Sequence, residues 1–181
     1  RRGHPEAPLK IAGKSDRRGT KVTLMADKEI FETTESSFDT LSTRLRELAF
    51  LNKGLKITIA DERTEDKRHE FQYEGGIKSF IEYLNKRKEP IHDQVIYFET
   101  TRDGTIVEVA MQWNAGYQET IFSFANNINT RDGGTHLSGF KSAITRTINQ
   151  YATKNEMMKK LAKPPEGEDI REGLCAVISV K

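Results

Sequence analysis

Apolar residues in this chain change their spacing several times, and the pair Gly75 and Gly76 separates two different orders of segments. Before the pair, short alternating runs precede an apolar stripe with intervals of three and four residues, and two more alternating runs follow it. After the pair, a short helical stripe precedes three alternating runs, one long helical stripe and a last apolar run. The two orders predict an α+β fold built from two pieces that join near residue 75.

The first piece, residues 1–74, is expected to form one small sheet with a helix packed on it. Val22 and Leu24 alternate with polar neighbours, which is typical of a strand with one buried face. We expect the helix to pack against the strands on either side of it in the sequence. The predicted elements are, in order, strands 9–12 and 20–25, a helix over 39–52, and a hairpin formed by 55–60 and the run around 71–73.

The second piece, residues 75–181, is expected to be a largely antiparallel sheet covered by a long helix. Two turn sequences, Arg102-Asp103-Gly104 and Asn114-Ala115-Gly116, separate three β runs and predict two hairpins. Thr135 is a natural N-cap for the long helix that follows. The predicted elements are a helix over 77–84, strands 94–100, 105–113 and 118–125, a helix over 136–154, and a strand over 174–180.

The composition of the chain limits its possible partners and its cellular compartment. The 29 Lys and Arg residues nearly balance 27 Asp and Glu, so the net charge of +2 does not by itself demand a nucleic-acid partner. The single cysteine, Cys175, cannot form an internal disulfide, and no apolar stretch approaches the ~20 residues of a membrane helix. We therefore expect a cytoplasmic protein without a membrane partner. Because the chain opens at Arg1 and closes within a β-like run, we also expect it to be a piece of a longer protein.

Few residues offer catalytic or metal chemistry. The four histidines are scattered without metal-ligand spacing, and no Gly-x-Ser-x-Gly or paired Cys and His signature is present. The sequence thus predicts no metal site and no catalytic residue within this segment. The segment Gly133-Gly134-Thr135-His136 lacks the Gly-Lys-Ser/Thr ending of a Walker phosphate loop, so the sequence favours a tight turn with a Thr cap. The alternative is a helix N-terminus that faces a DNA phosphate.

The long helix and its tail, residues 136–163, carry a local excess of positive charge. Six cations face one anion, Glu156, which leaves five positive charges in excess. A solvated helix face is the ordinary explanation of such cations, and contact with phosphates is the alternative. The cations are Lys141, Arg146, Lys154, Lys159, Lys160 and Lys163.

Five segments stand out in order along the chain. They are Leu45-Arg46-Glu47-Leu48-Ala49-Phe50-Leu51-Asn52, Tyr73-Glu74-Gly75-Gly76-Ile77, Met111-Gln112-Trp113-Asn114, Arg131-Asp132-Gly133-Gly134-Thr135-His136-Leu137 and Arg171-Glu172-Gly173-Leu174. Together they closely resemble the B-subunit family of bacterial DNA gyrase, and the resemblance runs from about Pro8 to Lys181. It implies the C-terminal part of a gyrase, Hsp90, histidine kinase and MutL-type ATPase sandwich over 1–74, followed by the first part of a ribosomal S5 domain 2-like transducer domain over 75–181.

The resemblance also implies roles for individual residues. Thr20 and Val22 match a family strand whose threonine helps to bind adenine and whose valine lines the same pocket, which aminocoumarin inhibitors share. Lys141 falls where the family places a basic residue facing the DNA channel of the transducer, and Arg146 is a second candidate on the same helix. The general base, the magnesium-binding asparagine, the adenine-binding aspartate and the γ-phosphate lysine all lie outside the matched part.

The resemblance implies that the chain is part of an ATP-dependent type II topoisomerase that negatively supercoils DNA. ATP and Mg²⁺ are its implied cofactors in the complete protein, and we expect this segment alone to be inactive and to bind neither tightly. DNA, the gyrase A subunit and a second B subunit are the implied partners. The alternatives are the equivalent subunit of topoisomerase IV and a non-enzymatic basic module that binds nucleic acid. Topoisomerase IV is disfavoured by Asp132, Lys141 and the stretch Arg171-Glu172-Gly173-Leu174, which look more like the gyrase version.

Overall fold

The structure is a computed structural model that describes residues 4–64, 67–160 and 163–181. Arg1 and the side chain of Lys160 lie outside the described residues. The chain is a mixture of helices and mostly antiparallel strands, which confirms the predicted α+β class. Its elements are α1 (Phe38–Leu51), β1 (Ile57–Ala60), β2 (Arg68–Phe71), α2 (Ile77–Asn85), β3 (Ile96–Arg102), β4 (Thr105–Trp113), β5 (Thr120–Ala125), β6 (Ile128–Asn129), α3 (Thr135–Lys154), a 3₁₀ turn (Met157–Lys160), α4 (Gly167–Arg171) and β7 (Leu174–Val180).

Two compact units make up the chain, residues 1–41 and residues 42–181. In the first, the predicted strands 9–12 and 20–25 are wrong, because both runs are irregular and their apolar side chains are exposed. An alternating run becomes a strand only when a neighbouring strand pairs with its backbone groups, and no such partner lies beside these runs in the described residues. The predicted packing of the helix over 39–52 against residues 20–25 stays a prediction.

The second unit begins with the predicted hairpin of β1 and β2. These strands pair antiparallel from Ile57 opposite Phe71 to Ala60 opposite Arg68, as a two-stranded sheet of their own. Gly75 and Gly76 follow, and α2 begins directly after them. The compact units divide the chain at residues 41 and 42, and the division at residues 74 and 75 stays a prediction.

The main sheet has five strands in the order β3-β4-β7-β5-β6. β3 and β4 form the predicted hairpin, with Asp103 and Gly104 both at positive φ, as a tight turn of this kind requires. The second predicted hairpin, at Asn114-Ala115-Gly116, is wrong: β7 lies between β4 and β5, antiparallel to the first and parallel to the second. The apolar run from Leu174 to Ile178 in β7 suits a central strand that is buried on both faces.

Side chains of β7 alternate between two apolar layers. Cys175 and Val177 pack in a core with residues of α1 and α2, whereas Leu174 and Ala176 pack in a core with Ile144 of α3. The prediction that the long helix covers this sheet is thus confirmed. The predicted cap is wrong, since α3 begins at Thr135 itself and Gly134 takes the N-cap position without a side-chain hydrogen bond.

An aromatic cluster joins α1, the segment after β2, and α2. The ring of Phe50 stacks on Tyr73, with centroids 3.7 Å apart, and on Phe80, with centroids 4.6 Å apart. Arg46 donates a 2.7 Å hydrogen bond to the Tyr83 hydroxyl and lies over the same ring. Segments on both sides of Gly75 and Gly76 therefore share one core.

Among the helices of the described residues, none combines the length and the apolar character that a membrane span requires.

Candidate functional site

Lys141 of α3 lies in an ion cluster beside the start of β5. Its Nζ atom is 2.5 Å from Oε1 of Glu119, and Oε2 of the same carboxylate accepts a 2.7 Å hydrogen bond from Nε of Arg171, at the end of α4. The side chain of Lys141 is 35% exposed and that of Arg171 only 13%. We refer to Glu119, Lys141 and Arg171 as the Glu119 cluster.

Thr145 connects the two cations of the Glu119 cluster. Its hydroxyl donates to the backbone carbonyl of Lys141 at 2.9 Å, one turn earlier on α3, and accepts from Nη1 of Arg171 at 3.5 Å. The apolar face of α3 is anchored to the sheet below, through Phe140, Ile144 and Ile148. The backbone that carries Lys141 is therefore held in place, while its side chain stays partly exposed.

The carboxylate of Glu119 is stabilised in its charged form. Burial raises its pKa, but the hydrogen bonds from Lys141 and Arg171, with the charges of both cations, outweigh burial and lower the pKa below the ordinary value of 4.5. Glu119 is therefore ionised near neutral pH. The Glu119 cluster holds two cations against one anion and has one positive charge in excess.

Arg146, the second predicted DNA contact, is exposed on α3 and lies elsewhere on the helix surface. Five residues along an α-helix turn the side-chain direction by about 140°, so Arg146 and Lys141 point away from one another. The structure thus places only Lys141 in the Glu119 cluster. A contact of Arg146 with DNA stays a prediction.

Thr20 and Val22, the predicted nucleotide contacts, belong to the irregular part of the first unit. Both side chains are exposed, and Val22 keeps 74% of its surface in contact with solvent. The described residues do not arrange a pocket wall around these two side chains. Their role at a nucleotide stays a prediction.

Glu119 and Arg171 are the site residues that sequence reasoning missed. Arg171 belongs to a segment that carries the family resemblance, but nothing local connects it with Glu119, 52 positions earlier. The two meet because β7, which follows Arg171, is inserted beside β5, which follows Glu119. The motif could have drawn attention to Arg171, whereas only the strand order identifies its partner.

A cleft of about 350 Å³ lies near the N-terminus of α3. His136, on the first turn of the helix, is already engaged there: its Nε2 atom is 3.1 Å from the Thr130 hydroxyl, which also donates to the carbonyl of Ser123. No group of three or more His, Cys, Asp or Glu residues in the described part of the chain could hold a metal ion. The lining residues are Arg44, Glu47, Ile121, Phe122, Ser123, Asn129, Thr130, Arg131 and Leu137.

The fold is shared with a solved domain of gyrase B that is described as an ATPase domain, and this likeness defines the structural class of the chain. The 43K ATPase domain of Thermus thermophilus gyrase B, solved in complex with an aminocoumarin, superimposes with a TM-score of 0.73 and is 40% identical. The match covers 86% of this chain and 42% of that one.

Sequence comparison narrows the class to one family. A family model described as DNA gyrase B matches residues 76–181. The DNA gyrase B subunit of Myxococcus xanthus is 56% identical over 179 residues, which are 99% of this chain and 22% of that protein. The corresponding protein of Clostridium acetobutylicum is 57% identical over 181 residues, which are 99% of this chain and 28% of that protein. The chain belongs to the DNA gyrase B family and spans about a quarter of the length of these two relatives.

Proposed function

We propose that this chain is the part of a gyrase B subunit that links the nucleotide site to the DNA channel. Lys141 contacts a duplex held in that channel, and residues 75–181 form the start of the transducer that couples ATP use to strand passage and negative supercoiling. The observation that carries the proposal is the position of Lys141, a partly exposed cation in a cluster with one positive charge in excess. Such a group suits a phosphate of the DNA backbone.

The remaining contacts follow from the family. Residues 1–74 form the C-terminal part of the ATPase domain, where Thr20 and Val22 contribute one side of the adenine pocket. The Thermus relative was solved in complex with an aminocoumarin, which supports inhibitors of this class as ligands. The A subunit and a second B subunit complete the enzyme in the cytoplasm. Because the family's magnesium-binding asparagine lies outside the matched part, we propose that other parts of the complete subunit hold Mg²⁺.

Replacing Lys141 with methionine tests the DNA contact. In a gyrase B subunit that carries this segment, reconstituted with the A subunit, K141M should weaken the stimulation of ATP turnover by DNA, with less effect on the basal rate. The logarithmic salt slope of DNA binding should fall by up to about one unit, because one phosphate contact releases close to one counterion. Turnover with and without DNA, and binding to a labelled duplex across salt concentrations, measure both effects.

K56M is the matched control, because it removes the same charge at another exposed ion pair. Lys56 pairs with Glu70 of the small hairpin at 2.6 Å. The K56M variant should change neither the stimulation nor the slope. If K141M also leaves both unchanged, Lys141 does not face the DNA channel. If both variants lower the slope equally, only the general charge of the subunit is being measured.

The 181-residue chain alone should neither turn over ATP nor bind it at micromolar concentration. Phosphoryl transfer depends on a positioned base, a metal ion at the phosphates and a cation at the γ-phosphate, because its catalysis is mainly positioning and electrostatics. Thr20 and Val22 would contact only one side of the adenine, and a base without its specific hydrogen-bond partner binds weakly. Calorimetry with ATP and magnesium, with a phosphate-release assay of the same sample, checks this. Steady phosphate release would show that the nucleotide site has been misplaced.

A further inference from the structure

We propose that Glu119 is a positioning residue for Lys141 and also its built-in competitor: its carboxylate holds the ammonium group until a DNA phosphate displaces it. Glu119 thereby limits the affinity of the DNA contact. This inference rests on the proposed function, because it takes the phosphate of a duplex as the ligand of Lys141.

The geometry gives the two oxygens of Glu119 to two different cations. Oε1 is 2.5 Å from the ammonium nitrogen of Lys141, and Oε2 accepts from Arg171 at 2.7 Å. The Arg171 side chain is 13% exposed and also bonds Thr145, whereas the Lys141 side chain is 35% exposed. A lysine ammonium group is a mobile point charge on a flexible stem, so Lys141 is the partner that can leave.

The departure of Lys141 leaves no buried charge without a partner. Glu119 keeps its hydrogen bond from Arg171, and Lys141 exchanges one oxygen anion for another of the same kind. Partly exposed ion pairs are weak in water, so a phosphate can replace the carboxylate at small cost. That cost is nevertheless subtracted from every DNA-binding event, which is how an internal carboxylate lowers affinity.

The charges of the Glu119 cluster give this inference a measurable signature. With Glu119 ionised, the cluster has a net charge of one, and part of the Lys141 charge is already neutralised before DNA arrives. Without the carboxylate charge, Lys141 is free to neutralise a phosphate fully, at about 0.9 counterions per contact. Removing the charge of Glu119 should therefore steepen the salt dependence of binding and tighten it at low salt.

The test is E119Q in the complete B subunit with the A subunit, bound to a fluorescently labelled duplex of random sequence. Glutamine has nearly the same shape and still accepts a hydrogen bond from Arg171. We expect binding about two- to fivefold tighter at low salt, the range that a weak ion pair allows, a steeper logarithmic slope, and convergence with the unmodified protein at high salt. In the K141M background the same substitution should have no effect, because the remaining cation, Arg171, is only 13% exposed and stays bonded to residue 119.

Two controls separate the possible outcomes. E70Q removes an exposed carboxylate that pairs with Lys56 and should change nothing. E119D serves if the glutamine variant folds poorly: its shorter side chain can hold Arg171 but not both cations, so a smaller tightening is expected. If K141M leaves DNA binding unchanged, the proposed function fails. If K141M weakens binding but neither Glu119 variant tightens it, or if E119Q acts equally in the K141M background, this inference alone is overturned.

Discussion

Replacing Phe50 with alanine is expected to lower the free energy of unfolding of the unit formed by residues 42–181 by about 3–5 kcal/mol. Phe50 is 1% exposed and stacks on Tyr73 and Phe80. Alanine removes the whole ring, and its two stacked neighbours are held by separate segments, Tyr73 after β2 and Phe80 in α2, which limits how far they can close the cavity. A domain of this size is commonly stable by only about 5–15 kcal/mol, so the loss is a large share of the total.

The effect of F50A can be followed with a fluorophore that the chain already has. Trp113 is the single tryptophan, and it lies at the end of β4 in the same unit. Urea unfolding of the chain, monitored by this fluorescence, should show a lower midpoint with an unchanged slope. F98A is the matched control, because Phe98 is 44% exposed on the edge strand β3 and should cost much less. Equal losses for the two variants would contradict the central position of Phe50.

Replacing Gly173 with alanine is expected to destabilise the same unit by about 2–4 kcal/mol. Gly173 joins α4 to β7 with a φ of 69°, a conformation that costs other residues about 1–2 kcal/mol. An added Cβ would lie 2.3 Å from the carbonyl oxygen of Asn114 and 2.6 Å from that of Gly116, so backbone must move. The carbonyl of Gly173 accepts two hydrogen bonds from Asn114, and losing them would cost about 1 kcal/mol each.

Gly139 provides the control for this substitution. It lies inside α3 with open space where a Cβ would be added, so G139A should stabilise the chain by about 0.5–1 kcal/mol, as alanine favours a helix. The two variants make the same chemical change and are expected to move the unfolding midpoint in opposite directions. Thermal and urea unfolding compare them directly. A neutral G173A would mean that the connection between α4 and β7 is looser than the structure shows.

Elements with a strong local signal were predictable from the sequence. Intervals of three and four apolar residues predicted α1, α2 and α3, and a turn at Asp103 and Gly104 predicted the hairpin of β3 and β4. These signals are local because the residues that share a helix face, or close a tight turn, are only a few positions apart. The apolar run of β7, from Leu174 to Ile178, likewise indicated a strand, although not its neighbours.

Strand neighbours were not predictable in the same way. The turn at Asn114-Ala115-Gly116 suggested that β4 and β5 pair, yet β7 pairs with both. Burial favours the most apolar strand at the centre of the sheet, and that comparison includes residues 50 or more positions away. The runs 9–12 and 20–25 alternate as strands do, but they are irregular in the structure. A strand needs a partner strand, and local sequence cannot specify that partner.

The same division holds for the candidate site. The sequence by itself determined the family, the helix that carries Lys141, and the local excess of positive charge on that helix, since each depends on motifs or on residue types close together. Only the tertiary structure decided that Glu119 and Arg171 meet at Lys141, because three segments far apart in the chain come together when β7 enters the sheet beside β5. The residue type sets the charge of a side chain, but tertiary packing decides which group it pairs with.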